Sequence, residues 1–252
     1  MQLKFINGHL LITPDDDCKA IVDAMLLINY DQEFCIAFDF EPEFIARLME
    51  AGFLVMSAII ETEDGEPHYL MLPKLHLLRS VLFFDNLHIK KSIRGFLDSK
   101  KYDWELRTDS DFETIIDRCL EKHGDDWLTP ALVDCIKRIR NGEGVNRSCE
   151  PAPALLPTPY PYPASFGLYR NGKLVAGEFG VVCGKVYTSY SGYYDEANAG
   201  TVQIILTTRY LQENGFLFFD LGMPLDYKTD LGAEDISPES FTELFRIGQA
   251  GT

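Results

Sequence analysis

The stretch from Ser165 to Ile236 constrains the fold most, because its hydrophobic pattern changes period along its length. Runs rich in β-branched and aromatic residues are separated by Asn171-Gly172 and by Cys183-Gly184. Such dipeptides between apolar runs are typical of β-hairpins. From Ala199 the apolar residues recur at helical spacing until Gly215. This part of the chain therefore predicts hairpins followed by an amphipathic helix.

A short and wholly apolar run, Phe216 to Phe219, follows the predicted helix and ends at Asp220. A run of this kind is typical of a strand that is buried on both faces. Architectures of sheet, helix and central strand build their sites where polar residues end the strands. We therefore predict an α+β fold, in which a mixed sheet has flanking helices and carries a site at its strand ends.

The chain predicts two parts that meet near residue 80. Residues 1–80 are interpreted as a small N-terminal α/β domain, with a helix that begins at Pro42 and ends at Gly52. Residues 81–252 form the larger second domain. Within it, residues 141–163 are rich in proline and lack any period, which favours an extended or mobile loop inserted at about this position.

The net charge of −16 opposes binding to nucleic acid, because each phosphate contact needs a cation. A nucleic-acid partner would have to meet a local basic segment. One such segment lies between His88 and Lys101, and its cations are Lys90, Lys91, Arg94, Lys100 and Lys101. On composition alone, a solvated face without a partner is the favoured interpretation.

The remaining composition indicates an ordinary globular protein of the reducing compartment. The six cysteines are scattered and include no C-x-x-C pair, and the histidines show no metal-ligand spacing. No apolar run approaches the roughly 20 residues needed to cross a bilayer, and the first residues lack the design of a secretion signal. We expect a cytoplasmic protein that binds neither membrane nor metal.

The predicted hairpin, helix and strand resemble the sheet of GNAT-type acyltransferases. Those enzymes bind the pyrophosphate of coenzyme A with a turn of the form Arg/Gln-x-x-Gly-x-Gly/Ala before the central helix. Here the corresponding turn runs from Tyr194 to Gly200 and carries Asp195 and Glu196. An acidic turn repels a pyrophosphate at a helix N-terminus. We therefore expect no coenzyme A and no other cofactor.

Several short motifs occur along the chain in the order in which one bacterial family carries them. They are L-H-I with Ser92, W-L-T-P, G-K-L-V-A-G-E-F-G-V, N-A and L-G-A-x-x-I, at residues 87–92, 127–130, 172–181, 198–199 and 231–236. Together they resemble the leucyl/phenylalanyl-tRNA–protein transferases, whose catalytic domain is a GNAT-like fold. The segment from Glu41 to Gly52 also resembles a helix of that family's N-terminal domain.

The resemblance implies transfer of Leu, Phe or Met from aminoacyl-tRNA to an N-terminal Lys or Arg of a protein, which marks that protein for degradation. The implied partners are the 3′ end of the aminoacyl-tRNA and a protein or peptide with N-terminal Lys or Arg. In this reaction the amine attacks the ester carbonyl and the tRNA 3′ oxygen leaves. The chemistry needs a base, hydrogen-bond donors for the oxyanion and an apolar amino-acid pocket.

Family positions imply two sets of binding residues. The residues implied to bind tRNA are Lys90, Lys91 and Arg94. The residues implied to bind the substrates are Trp127, Tyr193, Gly222, Met56 and Phe53. Two family motifs that contain tryptophan fall on segments without tryptophan here: F-P-W-F corresponds to Phe53–Met56, and W-W-S-P-D-P-R corresponds to Leu70–His76.

The catalytic motifs differ from those of the family. The G-E-S-M-F loop corresponds to Ser189–Tyr193, so Tyr190 stands where the family has an acid. The D-C-Q motif corresponds to Asp220–Gly222, so a glycine replaces the glutamine. We predict that Asp220, Tyr190 and Ser191 carry the catalytic roles. Two alternatives stay open: a non-catalytic relative that binds tRNA or an N-terminal peptide, and a GNAT-type acyltransferase with another donor.

Overall fold

The computed structural model describes residues 2–61, 67–99, 102–145 and 154–250. The strands in these ranges are β1 (Lys4–Ile6), β2 (His9–Leu11), β3 (Leu54–Glu61), β4 (Pro67–Lys74), β5 (Arg79–Leu82), β6 (Trp104–Thr108), β7 (Thr158–Arg170), β8 (Lys173–Gly184), β9 (Val186–Tyr194), β10 (Phe218–Gly222) and β11 (Glu234–Ile236). The helices are α1 (Cys18–Leu27), α2 (Pro42–Glu50), α3 (Lys91–Leu97), α4 (Phe112–His123), α5 (Pro130–Arg140), α6 (Ala199–Glu213), α7 (Asp226–Asp230) and α8 (Pro238–Gln249), and a 3₁₀ turn occupies Phe84–Asn86.

A seven-stranded mixed sheet dominates the described structure, in the order β11-β5-β10-β9-β8-β7-β6. Its one parallel pair within the described ranges is β9 with β10, and α6 connects these two strands. The predicted hairpin between β7 and β8 is confirmed. Its turn residues Asn171 and Gly172 both have positive φ (51° and 76°), which the tight hairpin turn requires.

Helices cover both faces of the large sheet. On one face, α6 buries Val202, Ile205 and Leu211 against the strands and ends before Gly215, as its sequence pattern predicts. On the other face, α8 packs Phe241 edge-on against Phe218 of β10, with ring centroids 6.4 Å apart. The prediction of a mixed sheet with flanking helices is therefore confirmed.

The apolar core does not break near residue 80. One continuous cluster of buried side chains includes Leu10, Phe44, Ile115 and Phe218, so the N-terminal elements pack directly on the large sheet. β5 begins at Arg79 and pairs inside that sheet with β10 and β11. A domain boundary at this point stays a prediction.

The proline-rich loop is shorter than its composition predicts. α5 ends at Arg140, and residues 146–153 lie outside the described ranges. From Thr158 the chain is already in β7, where Tyr162 pairs with Val182 of β8. β6 pairs only with the later part of β7, beginning opposite Phe166, so the prolines lie where β7 has an open side. Proline is tolerated there because it removes no ladder hydrogen bond.

Candidate active site

The candidate site lies at the carboxyl ends of the parallel strands β9 and β10. Their ladder stops at Thr188 and Asp220, although β9 continues to Tyr194 alongside β8 and β10 continues to Gly222 alongside β5. Beyond that point side chains, rather than paired backbone, lie between the two strands. Open sheets bind ligands at the carboxyl ends of their strands, so we call this place the carboxyl edge.

Asp220 is fully buried and its carboxylate is saturated with hydrogen bonds. Arg79 donates from Nε to Oδ1 at 2.8 Å and from Nη2 to Oδ2 at 2.6 Å. Thr188 Oγ1 donates to Oδ2 at 2.8 Å, and the backbone N–H of Gly222 donates to Oδ1 at 3.0 Å. Four donors occupy the four lone-pair positions of a carboxylate. This geometry favours a positioning role for Asp220, and its predicted part in catalysis stays a prediction.

Arg79 contacts Asp220, and the sequence motifs did not identify it as a residue of the candidate site. Alignment of the family's W-W-S-P-D-P-R placed its arginine at His76, whereas Arg79 is the residue that contacts Asp220. His76 Nδ1 lies 3.0 Å from Arg79 Nη1, and the guanidinium carbon lies 4.3 Å from the centre of the Phe241 ring. Burial, together with Arg79, lowers the pKa of His76 to about 2, so its ring is neutral and Nδ1 accepts.

Tyr190 is the extra residue of a β-bulge, because the pairing of β8 with β9 shifts register between Phe179 and Gly180. Its hydroxyl accepts a hydrogen bond from the backbone N–H of Val55 at 3.2 Å. With Phe53 it lines a cavity of about 10 Å³. Burial raises the pKa of Tyr190 above its ordinary value. A phenol in this state is a poor base, so the geometry favours a wall of the site.

Ser191 and Tyr193 follow Tyr190 and lie against α4. Ser191 lies beside the buried thiol of Cys119, and Tyr193 is buried with the Arg118 guanidinium 5.4 Å from its ring centre. Neither side chain is among the hydrogen-bond donors of Asp220, which are Arg79, Thr188 and Gly222. The structure therefore groups these two predicted site residues with each other and with α4.

Trp127 and Met56 are connected through β3. The Trp127 carbonyl accepts hydrogen bonds from Ser57 N–H at 2.9 Å and from Ser57 Oγ at 3.1 Å. Met56, which precedes Ser57, is half-buried, as is Trp127. A Cβ atom built on Gly222 would lie 3.5 Å from the Leu54 side chain, so the start of β3 borders the end of β10. The predicted substrate-binding residues thus lie on adjoining elements.

The basic segment lies next to α7. Lys90 forms an exposed ion pair with Asp230 at 2.6 Å, and the N–H of His88 donates to the Leu231 carbonyl at 2.9 Å. Lys91 and Arg94 are exposed on α3. Lys100 and Lys101 lie outside the described ranges. The cations predicted to bind tRNA are therefore held at the end of the helix that follows β10.

Two further charged residues are buried near the carboxyl edge, and the sequence analysis assigned neither of them a role. Lys228 of α7 is 5% exposed and donates from Nζ to the carbonyls of Leu221 and Met223 at 2.5 and 2.7 Å. Glu178 of β8 is 3% exposed and accepts a hydrogen bond from Ser189 Oγ at 2.9 Å. The signal in the sequence is an acidic residue inside an otherwise apolar strand, which is costly to bury without a purpose.

Burial shifts the pKa of both residues toward neutral pH. It lowers the pKa of Lys228 to about 8 and raises that of Glu178 to about 7. The neighbouring Lys228 ammonium acts in the opposite direction on Glu178 by favouring its carboxylate. A buried titratable group with a pKa near 7 is a candidate acid–base group.

Comparison with known proteins shows which family this part of the chain resembles. The family model for leucyl/phenylalanyl-tRNA protein transferase matches residues 158–246, which contain β7 to β11, α6, α7 and most of α8. The leucyl/phenylalanyl-tRNA–protein transferase of Pseudomonas putida strain W619 is 28% identical over 184 residues, which are 72% of this chain and 71% of that protein. That of Pseudomonas fluorescens strain Pf0-1 is 27% identical over 168 residues, 66% of each chain.

This part of the chain is similar to the leucyl/phenylalanyl-tRNA–protein transferase family. The part matched by the family model contains Glu178, Asp220 and Lys228, whereas Arg79 lies outside it on β5. A solved structure, the C-terminal domain of a putative lysylphosphatidylglycerol synthetase from Agrobacterium fabrum, is 13% identical and covers 99% of this chain and 71% of its own. Its TM-score of 0.38 is too low to support an argument about the fold.

The part of the chain that the structure describes shows neither a metal site nor a membrane span. Among those residues, no three His, Cys, Asp or Glu side chains are grouped so that they can hold a metal ion. None of the helices described is both long and apolar enough to cross a bilayer.

Proposed function

We propose that this protein transfers an amino acid from aminoacyl-tRNA to the N-terminal amine of a protein or peptide, on a GNAT-like fold. The observation that carries the proposal is the family match across residues 158–246, which includes the β9-α6-β10 unit and its carboxyl edge. The donor amino acid is Leu, Phe or Met, and the acceptor begins with Lys or Arg. Transfer marks the acceptor for degradation in the cytoplasm.

The reaction exchanges an ester for an amide. The amine lone pair attacks the ester carbonyl carbon, the new C–N bond forms, and the C–O bond to the tRNA 3′ oxygen breaks. The amine loses a proton, and the 3′ oxygen gains one. The site has to position the amine and to remove that proton, since a protonated amine has no lone pair for attack.

Apolar side chains surround the carboxyl edge, as an apolar donor requires. Met223, Leu225 and Tyr227, which follow β10, are each between 42% and 50% exposed. Leu77 and Leu78 precede β5 and are also exposed. Because Ser80 pairs opposite Gly222, these leucines lie at the same edge of the sheet. We assign this apolar rim to the aminoacyl group and the first residue of the acceptor.

The basic segment provides the cations for the tRNA. An acidic protein binds an acceptor stem only where positive side chains are collected, and Lys90, Lys91 and Arg94 are collected at α3. The link from Lys90 to Asp230 fixes α3 to α7, whose Lys228 contacts the end of β10. This chain of contacts supports a stem bound beside the carboxyl edge.

Transfer of labelled amino acid tests the proposal. The full chain is incubated separately with Leu-, Phe- and Met-tRNA that carry a labelled amino acid. The acceptors are peptides that begin with Arg or Lys, and the matched control is the Arg peptide with its N-terminal amine acetylated. We expect label on the Arg and Lys peptides and none on the acetylated peptide. Absence of label on every peptide contradicts the transferase function.

Binding measurements on the same samples separate the alternatives. A chain that binds aminoacyl-tRNA or peptide without transferring label is the non-catalytic relative, a reading that the saturated Asp220 and the bonded Tyr190 hydroxyl favour. A rise in melting temperature with an acyl-CoA, and none with aminoacyl-tRNA, indicates an acyltransferase with another donor.

A further inference from the structure

We propose that Glu178 is the general base of the transfer reaction and takes the proton from the attacking amine at the carboxyl edge. This inference rests on the proposed transferase function. In the sequence, Glu178 does not occupy either of the positions where the family has its acid and its glutamine, which are Tyr190 and Gly222 here. It lies on β8, the strand next to β9, and hydrogen-bonds Ser189 at the point where β9 leaves β10.

The two buried carboxylates of this region differ in their hydrogen bonds. Asp220 receives four donors, whereas Glu178 Oε2 receives the Ser189 hydroxyl and Oε1 has no hydrogen-bond partner among the described residues. A buried acceptor without a donor costs about 1–3 kcal/mol, which selection removes unless the group has a use. An unoccupied lone pair is what a base needs in order to accept a proton from a substrate.

A glycine on the neighbouring strand leaves space beside this carboxylate. Gly192 of β9 pairs directly opposite Glu178 and is exposed, and Ser189 on the other side of the bulge is half-buried. A Cβ atom on Gly192 would lie 3.2 Å from the Glu178 Cβ, so any side chain there would cover the acid. Because glycine has no side chain, the exposed backbone of Gly192 lies directly beside Glu178.

The groups around Glu178 maintain an acid that titrates near neutral pH. Burial raises its pKa to about 7, and the Ser189 hydroxyl opposes the shift by donating to Oε2. The nearby side chain of Gln203 on α6 also lowers this pKa, although its Nε2 donates to Thr207 Oγ1 at 2.9 Å. The ionisable groups that interact with it electrostatically are Lys228 and Tyr227 of α7, Tyr187 of β9 and Cys119 of α4. Lys228 is the cation in this set, and it stabilises the carboxylate that forms when the proton leaves.

In this reaction one proton passes from the amine to Glu178 and then to the 3′ oxygen. The amine nitrogen forms a bond to the ester carbonyl carbon, and its proton passes to Glu178 Oε1. The tetrahedral carbon then expels the 3′ oxygen with its bonding electron pair, and Glu178 returns the proton to that oxygen. The products are an amide and a tRNA with a free 3′ hydroxyl, and Glu178 is again a carboxylate.

The experiment compares the single-turnover rate of transfer between pH 5.5 and 9 for wild type and for Glu178→Gln and Glu178→Asp. General bases contribute roughly 10²–10⁴-fold, so we expect a loss of about 100-fold or more in Glu178→Gln. The wild-type profile should rise with an inflection near 7 that Glu178→Gln lacks and Glu178→Asp retains at a lower rate. The titration of the amine itself, at about 8, remains in every profile.

Glu50→Gln is the matched control, because Glu50 is a half-buried acid of α2 whose pKa burial also raises. It should leave both the rate and the inflection unchanged. If wild type transfers label and the rate of Glu178→Gln is within threefold of the wild-type rate with the same inflection, the role of Glu178 alone is overturned. Wild type that transfers no label at all overturns the transferase function instead. Since Glu178→Asp keeps a carboxylate, its profile decides the question even if Glu178→Gln folds poorly.

Discussion

Arg79 on β5 and Asp220 on β10 form a buried bidentate ion pair, with two N–O distances of 2.8 and 2.6 Å. The guanidinium is 1% exposed and the carboxylate 0%. The two strands are antiparallel neighbours, and Val81 pairs opposite Asp220. The ion pair therefore joins the strand that enters the large sheet from the N-terminal elements to the strand that ends at the candidate site.

Replacement of Arg79 should be severely destabilising. Arg79→Met leaves the Asp220 carboxylate buried without its cation, which costs about 3–5 kcal/mol of unfolding free energy. Arg107→Met is the matched control, because Arg107 forms an ion pair with Glu105 at 2.7 Å in which both side chains are exposed. Exposed pairs contribute about 0–1 kcal/mol. Urea unfolding of both variants measures the difference, and equal losses would contradict the structural role of the buried pair.

His76 should make the protein sensitive to acid. Its folded-state pKa lies far below its ordinary value of 6.5, so it contributes stability that is present above pH 6.5 and is lost as the pH falls below it. Protonation would place a second cation against Arg79, 3.0 Å away. His76→Asn keeps an acceptor for Arg79 and does not titrate. We expect the variant to lose less stability than wild type between pH 7 and pH 5 in urea unfolding, and parallel losses would refute this.

Glu178 should act on stability in the opposite direction. Its folded-state pKa of about 7 lies above the ordinary 4.5, so its contribution is complete below pH 4.5 and disappears as the pH rises through 7. The full effect of such a shift is about 3 kcal/mol. Relative to Glu178→Gln, wild type should lose stability by about this amount between pH 4.5 and pH 8. If the difference in unfolding free energy between the two proteins is constant over this range, the pKa of Glu178 is not raised by burial.

The elements that could be predicted from the sequence are those whose signals are local. The hairpin turn at Asn171-Gly172 needs two residues that accept positive φ, and α6 needs an apolar stripe and a stop at Gly215. Both signals lie within the element itself. The part of β7 that contains Pro163 was not predicted from the sequence. A strand tolerates proline where no neighbouring strand needs a hydrogen bond from that backbone position, and this is a property of the assembled sheet.

The candidate site depends on contacts between residues far apart in the chain, and these could not be predicted from the sequence. Arg79 and Asp220 are 141 residues apart, and no local pattern pairs them. The sequence predicted Asp220 at the end of a strand, but it placed Tyr190 in a loop, whereas Tyr190 lies within β9. It also contains no information about how many donors a carboxylate receives. The difference between the saturated Asp220 and the unpaired Glu178 Oε1 exists only after the sheet and α7 have packed.

The basic segment should determine the salt dependence of tRNA binding. Lys91 and Arg94 are exposed on α3, so Lys91→Ala and Arg94→Ala should leave folding unchanged and weaken aminoacyl-tRNA binding. Each phosphate contact removed reduces the slope of log K against log salt by roughly 0.7–0.9. Filter binding with one aminoacyl-tRNA over a range of salt concentrations measures that slope.

Lys19→Ala is the matched control for this experiment, because Lys19 is an exposed cation on α1, away from α3. It removes the same charge from the protein, so a general effect of net charge would change its slope as much as those of the α3 variants. We expect the Lys19→Ala slope to equal that of wild type. The net charge is already −16, so the loss of one distant cation changes the total charge little. Equal slopes for all three variants would contradict a tRNA contact at α3, since such a contact requires particular cations rather than total charge.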